Sequence, residues 1–376
     1  MARQCGTLLD DWTVLRGFLP AGWRGQARRL GALRRARSIR SPTVLLRLLL
    51  IHLAGGCSLA ETAVRAQTAG WCTVSKVALF KRLQAAEQWL RWLAEQTWRM
   101  RPRPQLPAGR RVCAVDATLV HEAGVSGSTW RVHFSLNLAN LQCEHFVLTA
   151  VRTGETFRRI PVQPGDLILG DRAYATPPGV AAVVQAGGDV LVRLNLTRLP
   201  LFSASGRRVS ILARLRQVRR GVVAEWPAWV QGPTGPLAGR LIGLRRSRQA
   251  ARQARRRLRR KARHQQHTLS AAALEATRYV FVWTTLPAKT YAAPTVLEWY
   301  RSRWQIELAF KRMKSILGLG QLPKRSDASA RAWLHGKLLI AMLLERLAEA
   351  AEALSPWGYS LADASEPMAG ADFPAP

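Results

Sequence analysis

Three acidic residues stand where they could hold metal ions. Asp116 lies near the end of the extended run Arg111-Val-Cys-Ala-Val-Asp-Ala-Thr118, Asp171 closes the apolar run Asp166-Leu-Ile-Leu-Gly-Asp171, and Glu307 lies on a helical stretch farther along. Two strand-end aspartates and one helical glutamate are the donor set that two-metal phosphoryl transfer needs. Hard oxygen ligands hold two divalent ions, Mg²⁺ or Mn²⁺, roughly 3.5 to 4 Å apart, one activating the nucleophile and the other stabilising the leaving oxygen. The acids then act as ligands, and no protein nucleophile is required.

The glutamate sits in Tyr300-Arg-Ser-Arg303-Trp-Gln-Ile-Glu307-Leu-Ala-Phe-Lys311-Arg-Met-Lys314. On one continuous helix from Pro294 to Leu317, advancing about 100° per residue, Tyr300, Arg303, Glu307 and Lys314 share an arc of roughly 60°, with Lys311 close beside them. Trp299, Ile306, Phe310, Met313 and Leu317 form a separate apolar arc that would pack on a sheet. Taken alone, the polar arc reads as a solvated face with an i, i+4 ion pair between Arg303 and Glu307, worth only about 0.2–0.5 kcal/mol. The two aspartates elsewhere in the chain give it a second meaning.

The spacing Tyr-x2-Arg-x3-Glu-x6-Lys resembles the signature of the IS4 family of insertion-sequence transposases, enzymes of the DDE type. The first acidic motif of that family is similar to Val115-Asp116-Ala-Thr118, the second to Gly170-Asp171-Arg172-Ala-Tyr174, and Trp283 in Val282-Trp-Thr-Thr matches a tryptophan preceding the glutamate helix. The resemblance runs from about Arg111 to Leu347 and more weakly through the helical start. It implies an RNase H-like core interrupted by a β-rich insertion, with Asp116, Asp171 and Glu307 as metal ligands. It also implies that Tyr300, Arg303 and Lys314 grip the terminal nucleotides and 5′ phosphate of a transposon end. Trp283 would stack on a base flipped from the duplex; the alternative is a tryptophan packed in the core of a strand.

The elements that must position these residues follow from periodicity. Residues 1–107 read as a helical domain, with helices over Thr43 to Leu53, Ala60 to Ala66 and Val77 to Trp98. Ser58 and Ser75 suit N-caps of a helix-turn-helix that would bring Lys81 and Arg82 to DNA; an ordinary helical hairpin is the alternative. A Pro-rich linker, Arg101 to Pro107, precedes residues 108–194, the first part of an α/β core. Its strands are Arg111 to Thr118, Trp130 to Asn137 and His145 to Val151 in a meander, then strand Asp166 to Gly170, helix Pro178 to Ala186 and strand Asp189 to Leu194 as a parallel crossover. Functional groups gather at the carboxyl ends of strands in such sheets, where both aspartates sit. Residues 195–291 read as a β-rich insertion carrying its own sheet and an Arg-rich helix from Leu244 to His264. Residues 292–354 complete the core with the glutamate helix and a helix from Ala328 to Leu354, and 355–376 read as a disordered tail.

Composition points to a polyanion. The 376-residue chain has 57 Lys+Arg against 23 Asp+Glu, a formal charge of +34, and so much like charge is best relieved by nucleic acid. The run that includes Arg255, Arg256, Arg259 and Arg260 covers several helical faces and suits non-specific phosphate contact. Five cysteines without a CxxC spacing argue against a disulfide framework or a structural zinc site, and fit a reducing cytoplasm. Residues 1–30 lack a secretory pattern, and the apolar runs are too short or too interrupted to span a bilayer. Glu122, Glu144, Asp166 and the pair His264 and His267 lack a motif.

The expected partners are therefore double-stranded DNA, as transposon terminal inverted repeats and as target, and a second copy of the chain, because two ends must be cut together. A catalytically silent DNA-binding repressor would keep the basic surfaces without needing the triad. A nuclease of the same fold would need no grip at Tyr300, Arg303 and Lys314.

Overall fold

The computed structural model describes residues 11–100, 109–122, 124, 128–323 and 326–353. The Pro-rich segment 101–107 and the tail from Ser355 lie outside them.

Among the described residues, six helices come first: α1 (Asp11–Gly17), α2 (Trp23–Arg29), α3 (Pro42–Ala54), α4 (Leu59–Thr68), α5 (Lys76–Ala85) and α6 (Glu87–Arg99). Both N-caps of the expected helix-turn-helix are present. Ser58 forms a capping box with Glu61, and Ser75 accepts from the Ala78 amide at 3.2 Å. The stretch read as one helix from Val77 to Trp98 is two, turning at Ala86.

Next come β1 (Val112–Glu122), β2 (Ser128–Asn137), β3 (Gln142–Ala150), β4 (Leu167–Gly170), α7 (Pro177–Gln185) and β5 (Asp189–Arg193). The strands lie in the order β3-β2-β1-β4-β5, antiparallel through the meander and parallel from β1 to β5. This is the RNase H-like arrangement.

The insertion contains α8 (Ile211–Arg216), β6 (Val223–Pro227), β7 (Val230–Gly232), β8 (Gly235–Leu237), β9 (Arg240–Arg245), α9 (Arg248–His264), α10 (Ala271–Ala276) and β10 (Tyr279–Thr284). It does not build the separate sheet expected of it. β10 pairs with β5, β9 with β10 and β6 with β9, so the main sheet simply continues, and only β7 and β8 form a ribbon apart. Pairing β5 to β10 covers a sheet edge that would otherwise be open.

The chain closes with α11 (Ala293–Ser302), α12 (Gln305–Ser315), the short β11 (Gln321–Leu322) beside β1, and α13 (Asp327–Ala353). The N-terminal helices are not a body apart from the core. Leu45, Leu49, Leu83 and Leu93 are buried in one cluster with Phe134 and Phe146 of the sheet, Phe310 of α12 and Leu338 of α13.

Candidate active site

The register of two parallel strands brings the aspartates together. Ala114 of β1 is paired with Leu169 of β4, and Asp116 and Asp171 each lie two residues beyond that pair. Side chains alternate along a strand, so both aspartates emerge at one level on the same face as Val112, Ala114, Leu167 and Leu169. β4 ends at Gly170 while β1 continues, leaving Asp116 beside an open strand end rather than near the end of its own strand. A Cβ at Gly170 would stand 2.5 Å from the Phe157 ring and 2.8 Å from the Tyr174 Cβ. Glycine there lets the two rings pack beneath the Asp171 turn, with centroids 5.1 Å apart.

The glutamate helix is broken, contrary to the continuous helix expected. Ser302 ends α11 and Gln305 begins α12; across the gap the amides of Arg303, Ile306 and Glu307 bond three residues back. No proline causes this. α11 buries Ala293, Val296 and Tyr300 in a cluster with Val112, Leu167 and Leu169, whereas α12 buries Ile306, Phe310 and Met313 with the meander and the N-terminal helices. A straight helix could not serve both cores. The break places Arg303 at the corner, beside the aspartates.

At that corner Arg303 Nη1 donates to Asp116 Oδ2 at 3.2 Å, and Nη2 donates to Glu307 Oε1. Asp116 Oδ1 accepts from the Ala117 amide at 2.8 Å, and Asp171 Oδ1 from the Ala173 amide at 2.7 Å. Burial pushes the Asp116 carboxyl up to about 6, against the lowering effect of Arg303; Asp171 and Glu155 add repulsion. Arg303 is held above its ordinary range despite burial, by Tyr300, Asp116 and Glu307. Tyr300 is 9% exposed, and burial raises its phenol.

Three arginines stand on the same sheet edge; Arg172 belongs to the second acidic motif, whereas Arg193 and Arg246 lie in no motif. β5 and β9 both run antiparallel to β10, so their carboxyl ends share the edge at which β4 delivers Asp171. That edge carries Arg172, Arg193 and Arg246. Arg172 and Arg246 are pushed down to about 10, first by burial and then by the like charge of Arg193. α9 lies alongside, with Arg257 near Arg246 and Lys261 near Glu155. For Arg193 and Arg246 the sequence carried no signal, because β9 reaches the edge only through pairing with β10.

Other expected residues fall as follows. Trp283 is fully buried, donates from Nε1 to the Ala228 carbonyl at 3.0 Å and packs where a Cβ at Gly239 would approach it to 2.4 Å. It offers no face to a base, so the core reading replaces the stacking role. Lys311 and Lys314 are exposed on α12, and Arg255, Arg256, Arg259 and Arg260 are exposed on α9. That helix nevertheless has an inner stripe, with Ala262 buried and Ala251, Ala254 and Leu258 half-buried, which docks it. Lys81 is exposed, while Arg82 donates to the Arg35 carbonyl at 2.6 Å and so braces the N-terminal helices. Glu144 and Asp166 both pair with Arg111 below the sheet edge.

The carboxylates suit divalent cations by chemistry, being hard oxygen donors, one of them largely buried with its pKa raised. Among the described residues no three acidic, His or Cys side chains already converge on one point. Glu307 is turned to Arg303, with 59% of its side chain exposed.

Comparison with known proteins gives an independent line. Residues 107–343 match the family model described as Transposase DDE domain. The chain is 33% identical over 346 residues to the putative transposase InsL for insertion sequence element IS186A of Escherichia coli (strain K12), covering 89% of this chain and 93% of that protein. It is likewise 33% identical over 347 residues to the transposase for insertion sequence element IS421 of Escherichia coli, with coverage of 89% and 93%.

Proposed function

The chain belongs to the transposase DDE-domain family of metal-dependent enzymes that cleave and transfer DNA strands, and we propose that Asp116, Asp171 and Glu307 are its metal-holding carboxylates. The observation that carries this reading is the register that sets Asp116 level with Asp171, with Arg303 linking Asp116 to Glu307. Two ions, Mg²⁺ or Mn²⁺, would supply Lewis-acid activation of the attacking oxygen and stabilisation of the leaving one.

The protein's own part is to guide the DNA strand to that point. Arg303 neutralises Asp116 and Glu307 while no strand is present. A phosphate arriving at the corner competes for the guanidinium, and its transfer to the phosphate frees both carboxylates for cations. Tyr300 lies buried next to Arg303, its hydroxyl without a hydrogen-bond partner among the described residues. Lys314 and Lys311 extend the positive surface along α12. Arg172, Arg193 and Arg246 form a second phosphate rim on the far side of Asp171, and α9 adds Arg255, Arg256, Arg259 and Arg260 as phosphate contacts outside the site. Double-stranded DNA is bound as terminal inverted repeats and as target. Two copies act together, since paired ends require two such sites.

The test is the reaction itself. Labelled DNA carrying the element's terminal repeats should be nicked, converted to a hairpin and joined to target DNA in Mg²⁺, and left intact in EDTA. Tight binding without any cutting would support the silent-repressor reading, and cutting without joining the nuclease reading.

A further inference from the structure

A cleft of about 710 Å³ lies where the N-terminal helices meet α13, and none of its lining residues belongs to the acidic corner. Small-ligand sites span roughly 300–1,000 Å³, so the cleft has room for more than a bare ion. Cys57, Trp333 and Lys337 are buried at its floor, and Leu59 and Phe80 add half-buried apolar wall.

Two helices begin at this cleft. α4 and α5 are ten residues long, and in each a serine N-cap accepts the third amide of the helix, Glu61 for Ser58 and Ala78 for Ser75. The first two amides of each helix, at Leu59, Ala60, Lys76 and Val77, have no acceptor among the described residues, and all four residues line the cleft. Helix starts carry partial positive charge and unbonded N–H groups, so they attract anions. The carboxylate on the lining, Glu61, already accepts from the Ser58 amide in the capping box.

A second observation is independent of the helix starts. Lys337 of α13 is only 7% exposed, yet it has no hydrogen bond or ion pair among the described residues. Its ammonium stands 4.9 Å from the centroid of the Trp333 ring, which attracts the charge but gives the N–H donors no oxygen. Packing fixes it there: a Cβ at Gly336 would stand 2.3 Å from Leu53 Cδ1, so α13 presses against the end of α3. A buried cation without a partner is unfavourable, and an anion in the cleft relieves it.

We propose that this cleft is a phosphate site, in which Lys337, Lys76 and the free amides of α4 and α5 seat one phosphate group of a nucleotide against Leu59, Phe80 and Trp333. Four amides and two ammoniums on three elements surround a tetrahedral phosphate better than the two coplanar oxygens of a carboxylate. The nucleotide is free or part of a strand. Because α4 and α5 precede the sheet and α13 follows it, an occupied cleft ties the first and last parts of the chain together. The proposal is independent of the metal-centre reading.

Two titrations of the full chain in EDTA test this: thymidine monophosphate by calorimetry, and a labelled DNA duplex over a salt series. Lys337→Met should weaken the monophosphate by about 10-fold or more, the scale of a hydrogen bond to a charged group. Its melting temperature without ligand should be unchanged or higher, since an apolar chain replaces an unpaired cation. Lys76→Pro removes one ammonium and one amide at the first helical position, where proline is tolerated and the extended Ser75 backbone suits it. It should weaken the monophosphate at least as much, and it decides the case if Lys337→Met does not fold. Glu61→Gln keeps the capping box and removes a negative charge, so it should bind as wild type or more tightly. If a strand phosphate occupies the cleft, Lys337→Met also lowers the log-salt slope of duplex binding by about 0.9. An unchanged slope with monophosphate binding lost assigns the cleft to a free nucleotide. An unchanged slope, with monophosphate binding absent from wild type or unaffected by Lys337→Met, would overturn the proposal and leave Lys337 a brace for Trp333.

Discussion

Arg303 is bonded at once to Asp116 and to Glu307, one nitrogen to each carboxylate. The guanidinium thus occupies, with its positive charge, the space between two residues read as metal ligands. Its bidentate fork suits phosphate equally well, so the same side chain can guard the carboxylates and then receive the DNA.

Removing that side chain should separate the two roles. Arg303→Ala should lower end cleavage by about 100-fold or more, the scale for losing a charged group aimed at a reacting phosphate or oxyanion. Mn²⁺ binding without DNA should be unchanged or tighter, because the competing cation is gone. Weaker Mn²⁺ binding would mean that Arg303 shapes the carboxylates rather than guarding them.

The raised pKa of Asp116 has a definite sign. Burial lifts it to about 6, so the native state holds its proton at pH values where the unfolded chain has lost it. Metal-free stability therefore falls as pH rises through the window from about 4 to 6. The melting temperature of wild type relative to Asp116→Asn should decline across that window and level off above it. Protons compete with metal at the same carboxylate, so Mn²⁺ affinity should drop as pH falls below about 6. A flat difference between the two proteins would contradict the burial of Asp116.

Trp283 is a core residue by geometry. Trp283→Ala should destabilise the fold by about 3–5 kcal/mol and harm nicking and hairpin formation together, whereas Trp283→Phe should keep the two steps in their wild-type ratio. A loss confined to hairpin formation, with an unchanged melting temperature, would restore the base-stacking role.

The outer face of α9 should act through charge alone. Replacing Arg255, Arg256, Arg259 and Arg260 with Gln should weaken DNA binding at low salt and flatten its dependence on log salt, by up to about 0.9 for each phosphate contact removed. Filter binding over a salt series checks this, and an unchanged slope would show that the face is merely solvated.

Local signals made part of this site readable. Asp116 and Asp171 close apolar runs, Ser58 and Ser75 carry cap chemistry, and the strand, helix, strand order requires a parallel crossover; each feature depends on neighbours within a few residues. What could not be read depends on distant partners. The bend at Arg303 contains neither proline nor glycine and arises because α11 and α12 are drawn into different cores. β9 joins the main sheet because β10 pairs with β5, and only then do Arg193 and Arg246 meet at one edge. Trp283 shows the opposite failure: its position in the chain matched a motif, but its side chain faces inward.

On the proposed reading, Asp116, Asp171 and Glu307 hold the metal and do little else. The most direct test compares wild type with Asp116→Ala, Asp171→Ala and Glu307→Ala on one labelled terminal-repeat DNA, measuring binding and Mg²⁺-dependent nicking side by side. All three variants should bind the DNA within a few-fold of wild type and cut none of it. Cutting retained by any one of them would contradict the assignment of that residue.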